Sequence, residues 1–216
     1  MDSFIRFLST ITPDRLPGEA AHCKLRPLTA DGTVYRPSPP DLPAHPCGVL
    51  VPLHYEKDGS LMITYTLRTE SIRHAGQISF PGGRCEADET PHETAIREAR
   101  EEIALPPSVY KTIAELSPLV IPRTNNRVTP FVVLMESPIT FQRNPSEVEE
   151  VITLPFRILL QPGIFKQERW QYNGHAIDVP FWDVHHTPLW GATAMITSEL
   201  VALYEQHRQA QEDDNG

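Results

Sequence analysis

The sequence has little cysteine, no long apolar run and no excess of positive charge, and each shortage closes off a class of function. Its three cysteines, Cys23, Cys47 and Cys85, lie far apart and form no CxxC pair. That argues against a zinc ribbon or a disulfide framework and fits reduced thiols. No stretch approaches the roughly 20 apolar residues that a membrane helix needs. The opening Met1–Leu8 is too short and too weakly apolar for a secretory signal. A cytoplasmic protein without a membrane partner is expected. Lys and Arg total 19 against 28 Asp and Glu, a formal net charge of -9. A nucleic-acid surface would need a basic face, so nucleic acid is not an expected partner. A small anionic substrate stays open, because a few arginines and a metal ion can make one cleft locally positive.

Proline, by contrast, is plentiful. Pro37, Pro39, Pro40, Pro43 and Pro46 follow a short helical pattern near Ser3–Thr10, and such a run suits an extended arm better than a core element. The 216 residues are read as an N-terminal arm over 1–47, a domain over 48–211 and an acidic tail over 212–216. Strand patterns cover Gly48–Tyr55 and Leu61–Arg68, joined through Asp58-Gly59, then Ile113–Val120, Pro130–Glu136, Phe165–Tyr172 and His175–Val179. Asn173-Gly174 between the last two is a strong hairpin signal. Helical patterns lie at Pro91–Ile103, Pro155–Leu160 and Thr193–Gln211. The mixture predicts an α/β sandwich, with helices covering a mixed sheet.

The segment Gly83–Leu105 carries the chemistry. It reads as a glycine turn followed by a helix with a capping box at Thr90 and Glu93 and proline at its first position. Ile96, Ala99 and Ile103 make an apolar stripe. Glu98, Glu101 and Glu102 gather on another face and repel one another by a few tenths of a kcal/mol per pair. Two readings of that face stand side by side: a solvated acidic surface partly neutralised by Arg97 and Arg100, or a site for a hard divalent cation.

The full spacing resembles the Nudix signature: Gly, five residues, Glu, seven residues, then Arg-Glu-aliphatic-x-Glu-Glu-x-Gly-aliphatic. Here Gly83, Glu89, Arg97, Glu98, Glu101, Glu102 and Leu105 match, whereas Ala99 is a small aliphatic and Ala104 replaces the last glycine. The resemblance implies a Nudix fold: an α/β/α sandwich with a mixed sheet and a loop-helix-loop catalytic motif. It implies a pyrophosphohydrolase needing Mg2+ or Mn2+. Glu98 and Glu102 would be the main metal ligands, Glu101 a further ligand or water-orienting group, and Gly83 a backbone carbonyl donor. Arg97 would pair with Glu89 to hold loop and helix together. Glu98 or Glu101 would be the local base, with Glu147, Glu149 and Glu150 as alternatives.

Upstream, Thr66, Arg68, Arg73, Gly76, Phe80, Pro81, Gly82 and Gly83 resemble the second motif of the coenzyme A diphosphatase branch. Arg68, Arg73, Gly76 and Phe80 are thereby candidate substrate contacts, the arginines as forks onto phosphate. Arg123 and Arg127 are candidates to reach the same cleft. Trp190, Gly191 and Thr193 resemble a further element of that branch, with Trp190 as packing and Thr193 as an N-cap. His185 and His186 are expected to face opposite ways on a strand. The implied reaction is hydrolysis of coenzyme A or a derivative to 3',5'-ADP and 4'-phosphopantetheine. The partners are then a small nucleotide substrate and, as an option, a second copy in a homodimer. The rival substrates are ADP-ribose or a dinucleotide, and the rival class is a nucleotide sensor without turnover.

Overall fold

A computed structural model describes residues 3–35, 43–69, 76–136, 140–172 and 174–213. Pro37, Pro39, Pro40, Arg73 and Asn173 lie outside them. In chain order the elements are α1 (Ser3–Leu8), α2 (Glu19–His22), β1 (Leu28–Thr29), β2 (His45–Tyr55), β3 (Leu61–Arg68), β4 (Ile78–Ser79), β5 (Gly82–Arg84) and α3 (Pro91–Ile103). There follow β6 (Tyr110–Glu115), β7 (Leu119–Ile121), β8 (Asn126–Met135), β9 (Val148–Pro155), β10 (Phe165–Tyr172), β11 (His175–Trp182), β12 (Leu189–Trp190) and α4 (Gly191–Asp213).

The larger sheet runs β4-β3-β2-β8-β6, with β5 also on β2, β7 on β8 and β9 on β3. β2 and β8 are parallel, from His45 opposite Asn126 to Leu53 opposite Leu134, and the remaining pairs are antiparallel. Strand alternation divides the core in two. Leu50, Phe131 and Val133 point to α3, where they meet Ala95, Ala99 and Ile103. Val51, Leu53 and Val132 point the other way, into a cluster with Phe4, Ile5, Leu8, Leu200 and Leu203 of α1 and α4. Helices thus cover both faces of a mixed sheet, as expected. A second antiparallel sheet, β1-β11-β10 with β12 on β11, joins the arm to the C-terminal half.

The structure departs from expectation at four places. The stripe of α3 uses fully buried Ala95 in place of half-buried Ile96, because the helix sits so close to Gly48 that only small side chains fit between them. The strand expected at Ile113–Val120 is two strands, interrupted at Leu116–Pro118, where proline has no N–H for the ladder. β9 was masked in the sequence by its run of acidic residues, yet it pairs with β3 along its length. The pattern at Pro155–Leu160 is a 3-10 turn over Phe156–Leu160.

The arm is fastened by Glu199 of α4, which is fully buried. Its carboxylate accepts the N–H of Gly18 at 3.2 Å and of Ser117 at 3.1 Å, and lies 3.0 Å from His22 Nε2. A buried carboxylate needs such donors, and these tie three segments together.

Helix α3 ends at Ala104, in the left-handed conformation at φ 52° and ψ 36°. A Cβ there costs on the order of 1 kcal/mol. Ala104→Gly is expected to raise the melting temperature by about 2–4 °C in a thermal scan; an unchanged or lower value would contradict the strain.

Candidate active site

The loop before α3 is stapled to the helix. Thr90 caps it: Glu93 N–H donates to Thr90 Oγ1 at 3.2 Å, and Thr90 N–H returns a bond to Glu93 Oε2 at 2.9 Å. Arg97 forks onto Glu89, Nε to Oε1 at 2.7 Å and Nη2 to Oε2 at 3.0 Å. Glu89 also accepts from Glu86 N–H and the Thr94 hydroxyl, each at 3.0 Å. The Arg97 guanidinium beside it, with these donors, holds its carboxyl down at about 2.

Beyond this staple, oxygens of Glu98, Glu102 and Glu147 all lie within 4.8 Å of one another. Glu98 and Glu102 are one helical turn apart and share a face. Glu147 arrives from a separate segment, held where Thr69 N–H donates to its carbonyl at 3.0 Å and Asn144 Nδ2 to its Oε1 at 3.1 Å. Glu102 is 1% exposed, and burial pushes its carboxyl up to about 7. Its oxygens accept from Arg68 Nη1 at 3.1 Å and Gly82 N–H at 3.3 Å. Burial raises Glu98 as well. Gly83 packs directly on Glu98: a Cβ there would stand 2.2 Å from Oε1. Three partly desolvated carboxylates, with Arg68 on one and Arg97 on another, form a donor set that suits a hard divalent cation. Among the described residues this is the group able to hold one.

Glu101 does not join it. Its side chain is 52% exposed and its carboxylate lies 3.2 Å from Arg97 Nη1. One residue of helical rotation separates it from Glu102, and the third carboxylate of the cluster is Glu147. Sequence reasoning weighed Glu147 only as an alternative base. Glu150 lies 3.3 Å from His185 Nε2, and Glu149 is exposed on β9.

A cavity of about 910 Å³ opens beside the cluster. At one end are Arg68, Gly82 and Gly83, and its wall also includes Tyr35, Tyr172 and Trp190. Of the expected substrate contacts, Arg68 borders it but turns to Glu102. Phe80 lines the cavity, 3% exposed and stacked 4.8 Å from Tyr65. Gly76, at φ 65°, closes the turn by donating its N–H to Arg68 O at 3.0 Å, and Arg73 lies outside the described residues. Arg123 borders the cavity, whereas Arg127 does not. Trp190 packs edge-on to Trp170 at 5.3 Å and also faces the cavity. Thr193 is not an N-cap: the helix already begins at Gly191, and the Thr193 hydroxyl donates to Ile78 O at 3.0 Å. His185 and His186 follow β11 in a bend, with rings 3.9 Å apart, so they do not face opposite ways.

A family model of the NUDIX domain matches residues 45–172. An uncharacterized Nudix hydrolase NudL of Yersinia enterocolitica is 32% identical over 161 residues, covering 73% of this chain and 80% of its own. Nudix hydrolase 22, chloroplastic, of Arabidopsis thaliana is 35% identical over 170 residues, which are 75% of this chain and 56% of that protein. In structure, the Nudix hydrolase RenU from M. smegmatis superposes with a TM-score of 0.55 at 16% identity, over 83% of this chain and 93% of that one, a likeness of fold. The chain therefore belongs to the Nudix hydrolases, enzymes that cleave diphosphate linkages.

Proposed function

We propose that the chain hydrolyses the diphosphate bond of coenzyme A or a close derivative, using Mg2+ or Mn2+ and releasing 3',5'-ADP and 4'-phosphopantetheine. The observation that carries this is the convergence of Glu98, Glu102 and Glu147 beside the Gly82-Gly83 backbone, at the edge of a cavity roomy enough for an extended nucleotide. The resemblance of Thr66–Gly83 to the coenzyme A diphosphatase motif supports the choice of substrate.

In this reading Glu98, Glu102 and Glu147 hold the cation, with the Gly83 carbonyl beside them and Glu101 steadying the rim through Arg97. A bound divalent ion supplies charge neutralisation for the diphosphate and acidifies water. Arg68 faces both Glu102 and the cavity, which supports a role for its guanidinium in taking a phosphate oxygen. Glu147, partnered by the neutral amide of Asn144, is our choice to take the proton from the attacking water, ahead of Glu98 and Glu101, which are engaged by Arg97. The free thiols of Cys23, Cys47 and Cys85 suit a reducing compartment such as the cytoplasm.

A product assay with Mg2+ against coenzyme A, acyl-coenzyme A, ADP-ribose and NADH tests the substrate. Coenzyme A or its acyl form is expected to give the highest kcat/KM, with 3',5'-ADP among the products. A preference for ADP-ribose would overturn the substrate and leave the class standing.

A further inference from the structure

We propose that Arg84, Arg123, Tyr172 and Trp190 form a recognition site for a nucleoside carrying its own phosphate monoester, separate from the diphosphate that is cleaved. This rests on the coenzyme A reading, and it assigns one half of that substrate to named residues. Of the four arginines on the cavity wall, Arg26 pairs with Glu19 and Arg68 with Glu102.

Arg84 and Arg123 differ. Both are exposed and both border the cavity. Arg84 donates from Nε to Asn126 Oδ1 at 2.9 Å and from Nη2 to Thr124 O at 3.2 Å. Arg123 donates from Nη1 to the Tyr172 hydroxyl at 2.7 Å. Neither has a carboxylate within 4.0 Å among the described residues. Because Arg84 reaches the carbonyl of the residue next to Arg123, two guanidinium groups with only neutral partners share one corner. Such a pair favours a multiply charged anion.

The same corner is aromatic. Arg123 Cζ lies 5.6 Å from the centre of the Tyr172 ring, and Tyr172 meets Trp190 edge-on at 5.4 Å. Both rings are half-buried and face the cavity, so they offer a surface to a planar base. Rings and paired cations together match a base whose sugar bears a phosphate, and the cavity continues from here to Arg68 at the carboxylates.

Titration calorimetry with adenosine 3',5'-bisphosphate and with AMP tests this without turnover, since neither contains an anhydride bond. The wild-type protein is expected to bind the bisphosphate roughly tenfold more tightly, as a charge-assisted phosphate contact provides. In Arg84→Gln/Arg123→Gln that ratio should fall toward one. Trp190→Leu should weaken both nucleotides by a similar factor. Equal affinity of the wild type for the two ligands, or a ratio that survives the double substitution, would overturn the site. If the ratio holds while coenzyme A is not hydrolysed, the substrate assignment fails and the recognition site stands.

Discussion

Glu102→Gln is expected to lose at least about a hundredfold in kcat at saturating Mg2+, and Glu98→Gln a comparable factor, through lost metal ligation and lost charge stabilisation. The two carboxylates stand one turn apart on a capped helix that is packed against the sheet. Glutamine keeps the shape and removes the charge. The fold should survive at position 102. Burial raises its carboxyl from 4.5 to about 7, so the native state holds a proton that the unfolded chain releases. Stability from that group is present below about 4.5 and is lost as pH rises toward 7, which means ionised Glu102 works against folding and Gln relieves it. Loss of turnover with an undiminished melting temperature at neutral pH would separate chemistry from stability. Near-normal rates in both variants would remove these residues from the reaction.

The largest effect on stability is expected at a glycine outside the motif. A Cβ on Gly48 would lie 1.7 Å from the carbonyl oxygen of Pro91 and 3.1 Å from the Ala95 nitrogen. Both are backbone atoms of α3, so no side chain can rotate away. The helix must lift from β2 and break its contacts with Leu50 and Phe131. Such overpacking costs about 3 kcal/mol or more, which lowers the melting temperature by roughly 10 °C in a domain of this size. Gly48 also pairs with Gly83, so the displacement reaches the carboxylates and activity should fall with it. Gly59→Ala is the comparison: its Cβ meets nothing within 4 Å, and only the positive φ of 82° opposes alanine, at about 1 kcal/mol. A Gly48→Ala loss no greater than that of Gly59→Ala would refute the close approach.

Much of the site's framework was legible before any coordinates, because its signals are local. Thr90, Pro91 and Glu93 declare the start of α3 within four residues, and the spacing of Glu98 and Glu102 places them on one face. The strands Leu61–Arg68 and Phe165–Tyr172 were readable to the residue from alternation and bounding turns. Ala104 stands where the resembled signature has glycine, and it adopts the left-handed conformation that glycine favours.

What the tertiary structure decided is everything that depends on strands meeting across the sheet. Glu147 joins the helix carboxylates because β9 pairs with β3, and no periodicity in the acidic run around Val148 announces that register. Arg68, at the end of β3, faces Glu102, and Arg84 and Arg123 share a corner because β5 and β8 both lie against β2. Helix caps and turns are written in neighbouring residues, whose contacts form at short chain separation. A site assembled from four segments is specified by which distant backbones pair, and one residue of register there changes which side chains meet.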